Sequence, residues 1–154
     1  MDYRDMGYLP EAVLNYLVRL GWAHGDQEIF SVDEMVQLFD IADINSSASS
    51  LNPSKLNWLN QHYMKTLPPA HVARHLAWHL GQREIDPAHG PDIERIVEAQ
   101  AERSKTLVEM ADNSVFFYRA PAGYDEKAAR KNFKPEAAEV LNLLRERFAA
   151  LPEW

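Results

Sequence analysis

The sequence predicts an all-α protein, a bundle or cage of about seven or eight helices, on three observations. Prolines and glycines fall where helices start and stop. Apolar residues between them recur every three or four positions. The chain is rich in Ala and Leu and poor in β-branched residues, as helices prefer. No stretch alternates apolar and polar residues over the length of a strand.

The elements follow in order. Pro10 sits at a first helical position and Gly21 just past the end, with Ala12, Val13, Tyr16, Leu17 and Leu20 between them at helical spacing. Ser31 and Glu34 have the spacing of a capping box, with Met35, Leu38 and Phe39 behind it. Asn52 and Pro53 open a third helix whose Leu56, Leu59 and Tyr63 share a face. Pro68 and Pro69 stop it and start a fourth, which runs to about Leu80 and Gly81. Pro91 starts a fifth with Ile93, Ile96 and Val97 inside. Ser104 caps a sixth carrying Leu107, Val108 and Met110, and Asp125 and Pro135 open two more. Breaks fall at 40–52, rich in Asn and Ser, and at 119–124, with Pro121 and Gly123. There is no internal repeat or low-complexity tract.

Composition narrows the function classes. The chain has 154 residues, 46% hydrophobic and 25% charged, which is ordinary for a globular protein. The absence of cysteine excludes disulfides, thiolate metal sites and a Cys nucleophile. No apolar run approaches the roughly 18 residues that span a bilayer, and the start MDYRDMGYLP is not a signal peptide. A cytoplasmic location fits. The net charge of -7 argues against phosphate binding when taken as a sum. Its distribution argues otherwise. Residues 101–134 hold seven basic side chains and five acidic ones, a local +2.

Three kinds of chemistry compete. His71, His75 and His79 lie four apart on one helix. Two histidines at that spacing can share a zinc ion. The first and third are about 12 Å apart along the axis, so a packed or partner-facing stripe is the simpler reading. His24, Asp26 and Glu28 cluster in HGDQEIF, where a capped turn around Gly25 accounts for them. No GxSxG, P-loop or GxGxxG occurs, so the chain offers no catalytic constellation. RNA binding rests on Lys55, Trp58, Asn60, Gln61, His62 and Tyr63 around one helix, and on Arg103 and Lys105 at a junction. Cationic, amide and aromatic groups of this kind grip phosphates or stack on bases. Trp58 and Tyr63 at helical spacing also suit a core.

YRDMGYLPEAVLNYLVRLGWAHGDQEIFS at 3–31, LNPSKLNWLNQHYMKTLPP at 51–69 and ERSKTLVEMADNSVFFY at 102–118 together resemble bacterial glutamyl-tRNA synthetases. The related glutaminyl enzymes carry a β-barrel at their C-terminal end, so the all-α reading favours the glutamyl family. The resemblance implies a class I synthetase helical cage: a stem-contact domain at 1–67, a first anticodon-binding subdomain at 68–128 and the start of a second at 129–154. It implies that Arg103 and Lys105 contact the anticodon of tRNA-Glu, and that Lys55 and Asn60 contact the stem backbone. The HIGH and KMSKS signatures are missing. The resemblance therefore places ATP and Mg in a catalytic domain of the parent polypeptide, and implies that this chain alone is no enzyme. The expected partners are tRNA-Glu and that catalytic domain, with no membrane and a monomeric chain. The alternative is a free-standing helical interaction module of the same fold.

Overall fold

The computed structural model describes residues 2–46 and 50–152. Among them nine α-helices are present and no strand: α1 (Asp2–Asp5), α2 (Pro10–Gly21), α3 (Val32–Leu38), α4 (Pro53–Thr66), α5 (Pro69–Gly81), α6 (Ile93–Gln100), α7 (Leu107–Asp112), α8 (Glu126–Asn132) and α9 (Pro135–Ala149). The all-α expectation holds. The eight expected helices are all there, and the ninth, α1, has four residues and no buried side chain, too little to show in a pattern.

Local chemistry explains the boundaries. The capping box of α3 forms as expected: Ser31 Oγ accepts from the Glu34 N–H, and the Glu34 carboxylate accepts from the Ser31 N–H. Two starts differ from the sequence reading. Asp92, after Pro91, caps α6. Thr106 caps α7, accepting from the Glu109 N–H at 3.2 Å, in place of Ser104, which is buried. Leu17, placed in the apolar stripe of α2, is 49% exposed.

The chain divides into two compact units, Met1–Arg119 and Ala120–Trp154. In the first, α4 packs on α2, and α5 packs on both α6 and α7. One apolar cluster joins Leu9, Ala12 and Tyr16 to Leu56, Leu59 and Met64, to Val72, Leu76 and Leu80, and to Ile96, Leu107 and Met110. This core runs unbroken across residue 67, and Leu67 itself packs on it. A smaller cluster of Trp22, Phe30 and Met35 sits beneath α3. In the second unit α8 and α9 bury no side chain among the described residues; Tyr124 and Phe133 meet edge to face with centroids 5.0 Å apart. Position 128/129, the second boundary implied by the resemblance, lies inside α8.

A candidate nucleic-acid interface on α4 and the 101–106 turn

Helix α4 begins where Asn52 Oδ1 accepts from the Lys55 N–H at 3.2 Å, and Pro53 supplies a first helical residue that needs no acceptor. The Asn52 N–H donates in turn to the Tyr16 hydroxyl at 2.5 Å, which ties the start of α4 to α2. The first turn of α4 thereby carries Lys55 beside the 24–30 loop. Lys55 Nζ lies 2.7 Å from Glu28 Oε2, and Arg19 Nη2 lies 3.0 Å from Glu28 Oε1. The Lys55 hydrogen bond holds the Glu28 carboxyl below its ordinary range; partial burial opposes this, and Arg19 adds to it.

Asn60 does something other than the sequence suggested. It has no exposed surface. Its Oδ1 accepts from the Leu9 N–H at 2.8 Å, and its Nδ2 donates to the carbonyls of Lys105 at 2.7 Å and Gly7 at 3.2 Å. A side chain so enclosed cannot touch an RNA backbone, and the expected stem contact is corrected to a structural one. Asn60 joins α4, the α1–α2 connection and the 101–106 turn. Tyr63 is likewise internal. Its hydroxyl faces Asn15 Oδ1 at 2.7 Å and the Phe30 carbonyl at 2.8 Å, and burial pushes its pKa to about 12. Trp58 is half-exposed beside His62 on the outer face of α4.

The 101–106 turn is fastened at several points. The Arg103 N–H donates to the Gln100 carbonyl at 2.9 Å as α6 ends. The Lys105 N–H donates to Glu109 Oε2 at 2.7 Å, and the Leu107 N–H to the Gly7 carbonyl at 2.8 Å. From α4, Gln61 Nε2 donates to the Glu102 carbonyl at 3.0 Å, and Lys65 pairs with the Glu102 carboxylate at 2.7 Å. Gly7 makes the close approach possible. Its φ is +86°, and a Cβ there would stand 2.6 Å from the Val108 nitrogen. Arg103 and Lys105 are exposed on this fixed turn, and neither makes an ion pair among the described residues. The structure thus brings Asn60 and the Lys105 backbone together. Lys55 stands about 7 Å from Asn60 along the α4 axis, toward its start.

The histidine stripe has other partners. His71 Nε2 lies 2.8 Å from Glu11 Oε1, and Arg74 Nη2 lies 3.3 Å from His71 Nδ1. His79 is buried edge-on to Trp78, and desolvation lowers its pKa to about 4. Desolvation also lowers His75. Among the described residues no three His, Cys, Asp or Glu side chains are placed to hold a metal ion. In HGDQEIF the His24 carbonyl accepts from the Gln27 N–H and Gly25 has φ +54°, so the segment is a turn, as expected. The sequence reading missed Arg19 and Glu28 as partners of Lys55. Glu28 stood in a segment already singled out, but only the fold brings residue 55 to it.

Residues 70–154 match the family described as anticodon binding domain. Residues 1–58 match the family of class I (E and Q) tRNA synthetases, catalytic domain, so a short piece covered by that family is present in the chain. Over its full length the chain is 64% identical to glutamate--tRNA ligase 1 of Alkalilimnicola ehrlichii and 62% identical to glutamate--tRNA ligase 2 of Halorhodospira halophila. It spans 33% of the length of each. A crystal structure of a glutamate tRNA ligase from Elizabethkingia meningosepticum superposes on 97% of this chain with a TM-score of 0.80 at 30% identity, the matched part being 30% of that chain. Glutamate-tRNA synthetase from Elizabethkingia anophelis gives 0.73 at 29% identity, also over 97% of this chain and 29% of its own. The chain belongs to the anticodon binding domain family, whose model matches residues 70–154, and along its whole length it is similar to a part of bacterial glutamate–tRNA ligases.

Proposed function

We propose that this chain recognises tRNA-Glu as part of a glutamate–tRNA ligase. Arg103 and Lys105 meet the anticodon, and Lys55 meets the stem backbone. The observation that carries the reading is the 101–106 turn. Its backbone is bonded to α4, to α7 and to Gly7, while its two cations stand exposed and make no ion pair among the described residues. The Arg103 guanidinium can bond a base edge with its fork and stack with its face, whereas Lys105 supplies a point charge for a phosphate. The division into a stem-contact part at 1–67 and anticodon-binding parts at 68–128 and 129–154 belongs to this proposal, as do a monomeric chain and work in the cytoplasm. Among the described residues no helix is long and apolar enough to cross a membrane.

Joining glutamate to tRNA with ATP and Mg is the work we assign to the catalytic domain of a parent polypeptide. Titration of the chain with a tRNA-Glu transcript, beside one of unrelated anticodon, tests the proposal. Preferential binding of tRNA-Glu that weakens with salt is expected; equal, salt-insensitive binding of both, or none, defeats it.

A further inference from the structure

Lys55 is not a free cation. Its ammonium is closed on Glu28 at 2.7 Å, and Glu28 also takes Arg19 at 3.0 Å. The three side chains differ in freedom. Arg19 is 14% exposed, and its Nε and Nη1 are buried without an acceptor. Glu28 is therefore the one carboxylate that offsets the Arg19 charge among the described residues. Releasing it would leave a buried guanidinium unpaired, which is costly. Lys55 is 38% exposed and lines a cavity of about 260 Å³ together with Tyr16, Arg19, Leu20, Ser50 and Asn52. Of the two links to Glu28, the Lys55 link is the one whose opening leaves the buried guanidinium paired, with the entering solvent or ligand replacing the ammonium at the covered Glu28 Oε2.

We infer that Glu28 gates the RNA-backbone contact of Lys55. The carboxylate occupies the ammonium as a phosphate oxygen would, Arg19 keeps the carboxylate in place, and a phosphate gains Lys55 only by displacing it from Glu28. Glu28 is thus a specificity-determining residue. A stray phosphate must overcome the internal pair unaided. A tRNA held at the same time by the 101–106 turn presents its phosphate at high effective concentration and opens the link. The inference rests on the proposed contact between Lys55 and the tRNA stem.

The experiment is a double-mutant cycle on the full chain, with tRNA-Glu and an unrelated RNA hairpin as probes. Glu28→Gln keeps a carbonyl for Arg19 and removes the charge that holds Lys55, and the fold is checked by thermal unfolding. Four results are expected. Glu28→Gln tightens binding about two- to fivefold, the range in which an exposed pair is opened. The gain is larger for the unrelated hairpin than for tRNA-Glu. For the unrelated hairpin the slope of log affinity against log salt steepens by about 1, because Lys55 joins that contact only when freed, whereas for tRNA-Glu, which opens the link itself, the slope changes little. In a Lys55→Gln background the same substitution loses most of its effect. An equal gain in both backgrounds would mean that Glu28 only repels RNA at a distance, and it overturns the gate. Weaker binding by Glu28→Gln would mean that the carboxylate positions Lys55 for RNA, and that overturns the gate too. In both cases the Lys55 contact survives. A Lys55→Gln chain that binds tRNA-Glu as tightly as the unsubstituted chain removes the Lys55 contact itself and the gate with it.

Discussion

At the residue scale, exposure separates side chains that can meet a ligand from those that hold the surface in place. Arg103 and Asn60 show the contrast. Arg103→Ala should weaken tRNA-Glu binding by about 1–3 kcal/mol, the range for an arginine that reads a base, with unfolding unchanged. Lys105→Ala should weaken binding of tRNA-Glu and of unrelated RNA alike and reduce the salt slope by about 1. Asn60→Ala should act the other way. It strands the Leu9 N–H and the Lys105 carbonyl, and should lower stability by roughly 2–3 kcal/mol in urea unfolding. An Asn60→Ala chain as stable as the unsubstituted one would show that those groups find other partners. His79 gives a pH dependence. Its pKa falls from 6.5 unfolded to about 4 folded, because burial penalises the charged ring. A depressed histidine contributes stability in full above 6.5 and loses it as pH falls toward 4. Urea midpoints should therefore drop between pH 7 and 5, and His79→Gln should flatten that part of the profile.

At the element scale, helices were legible because proline, glycine and apolar spacing are local signals. Pro10, Ser31, Asn52, Pro69 and Pro135 mark starts that the structure keeps. Caps were less legible. Ser104 and Thr106 are chemically equal candidates, and Thr106 caps because the Leu107 N–H is pulled onto the Gly7 carbonyl, a contact across a hundred residues. The fate of Asn60 was hidden for the same reason. An amide on a helix reads alike whether it faces water or three backbone groups from other segments. Lys55 could be named from its position, but its engagement with Glu28 required α2, the 24–30 loop and α4 to be assembled. The α1–α2 connection is sensitive to substitution at Gly7. Gly7→Ala combines a strained φ with a 2.6 Å collision against backbone, and should cost about 3 kcal/mol or more. Loss of hydrogen-exchange protection at the Leu107 amide would report the breakage.

At the scale of the whole molecule, the net charge of -7 does not show how the charges are distributed. Much of the acid is engaged with the chain's own cations and helix starts: Glu28 with Arg19 and Lys55, Glu102 with Lys65, Asp112 with Arg83, and Asp92 and Asp125 as caps. What faces a polyanion is decided by the cations left over. The segments 3–31 and 51–69, which carry the resemblance, build the α2–α4 packing and the Gly7 crossing.

The fastening of the 101–106 turn bears on kinetics. A surface whose backbone is already held from three sides has little to rearrange when a ligand arrives. Encounter should therefore be followed by docking without a slow second phase, and stopped-flow traces with tRNA-Glu should be single exponentials whose rate rises linearly with RNA concentration. Weakening the fastening, by Gln61→Ala at the edge of the turn, should add the time needed to order the loop, and that delay would appear in the association rate before it appeared in the final extent of binding.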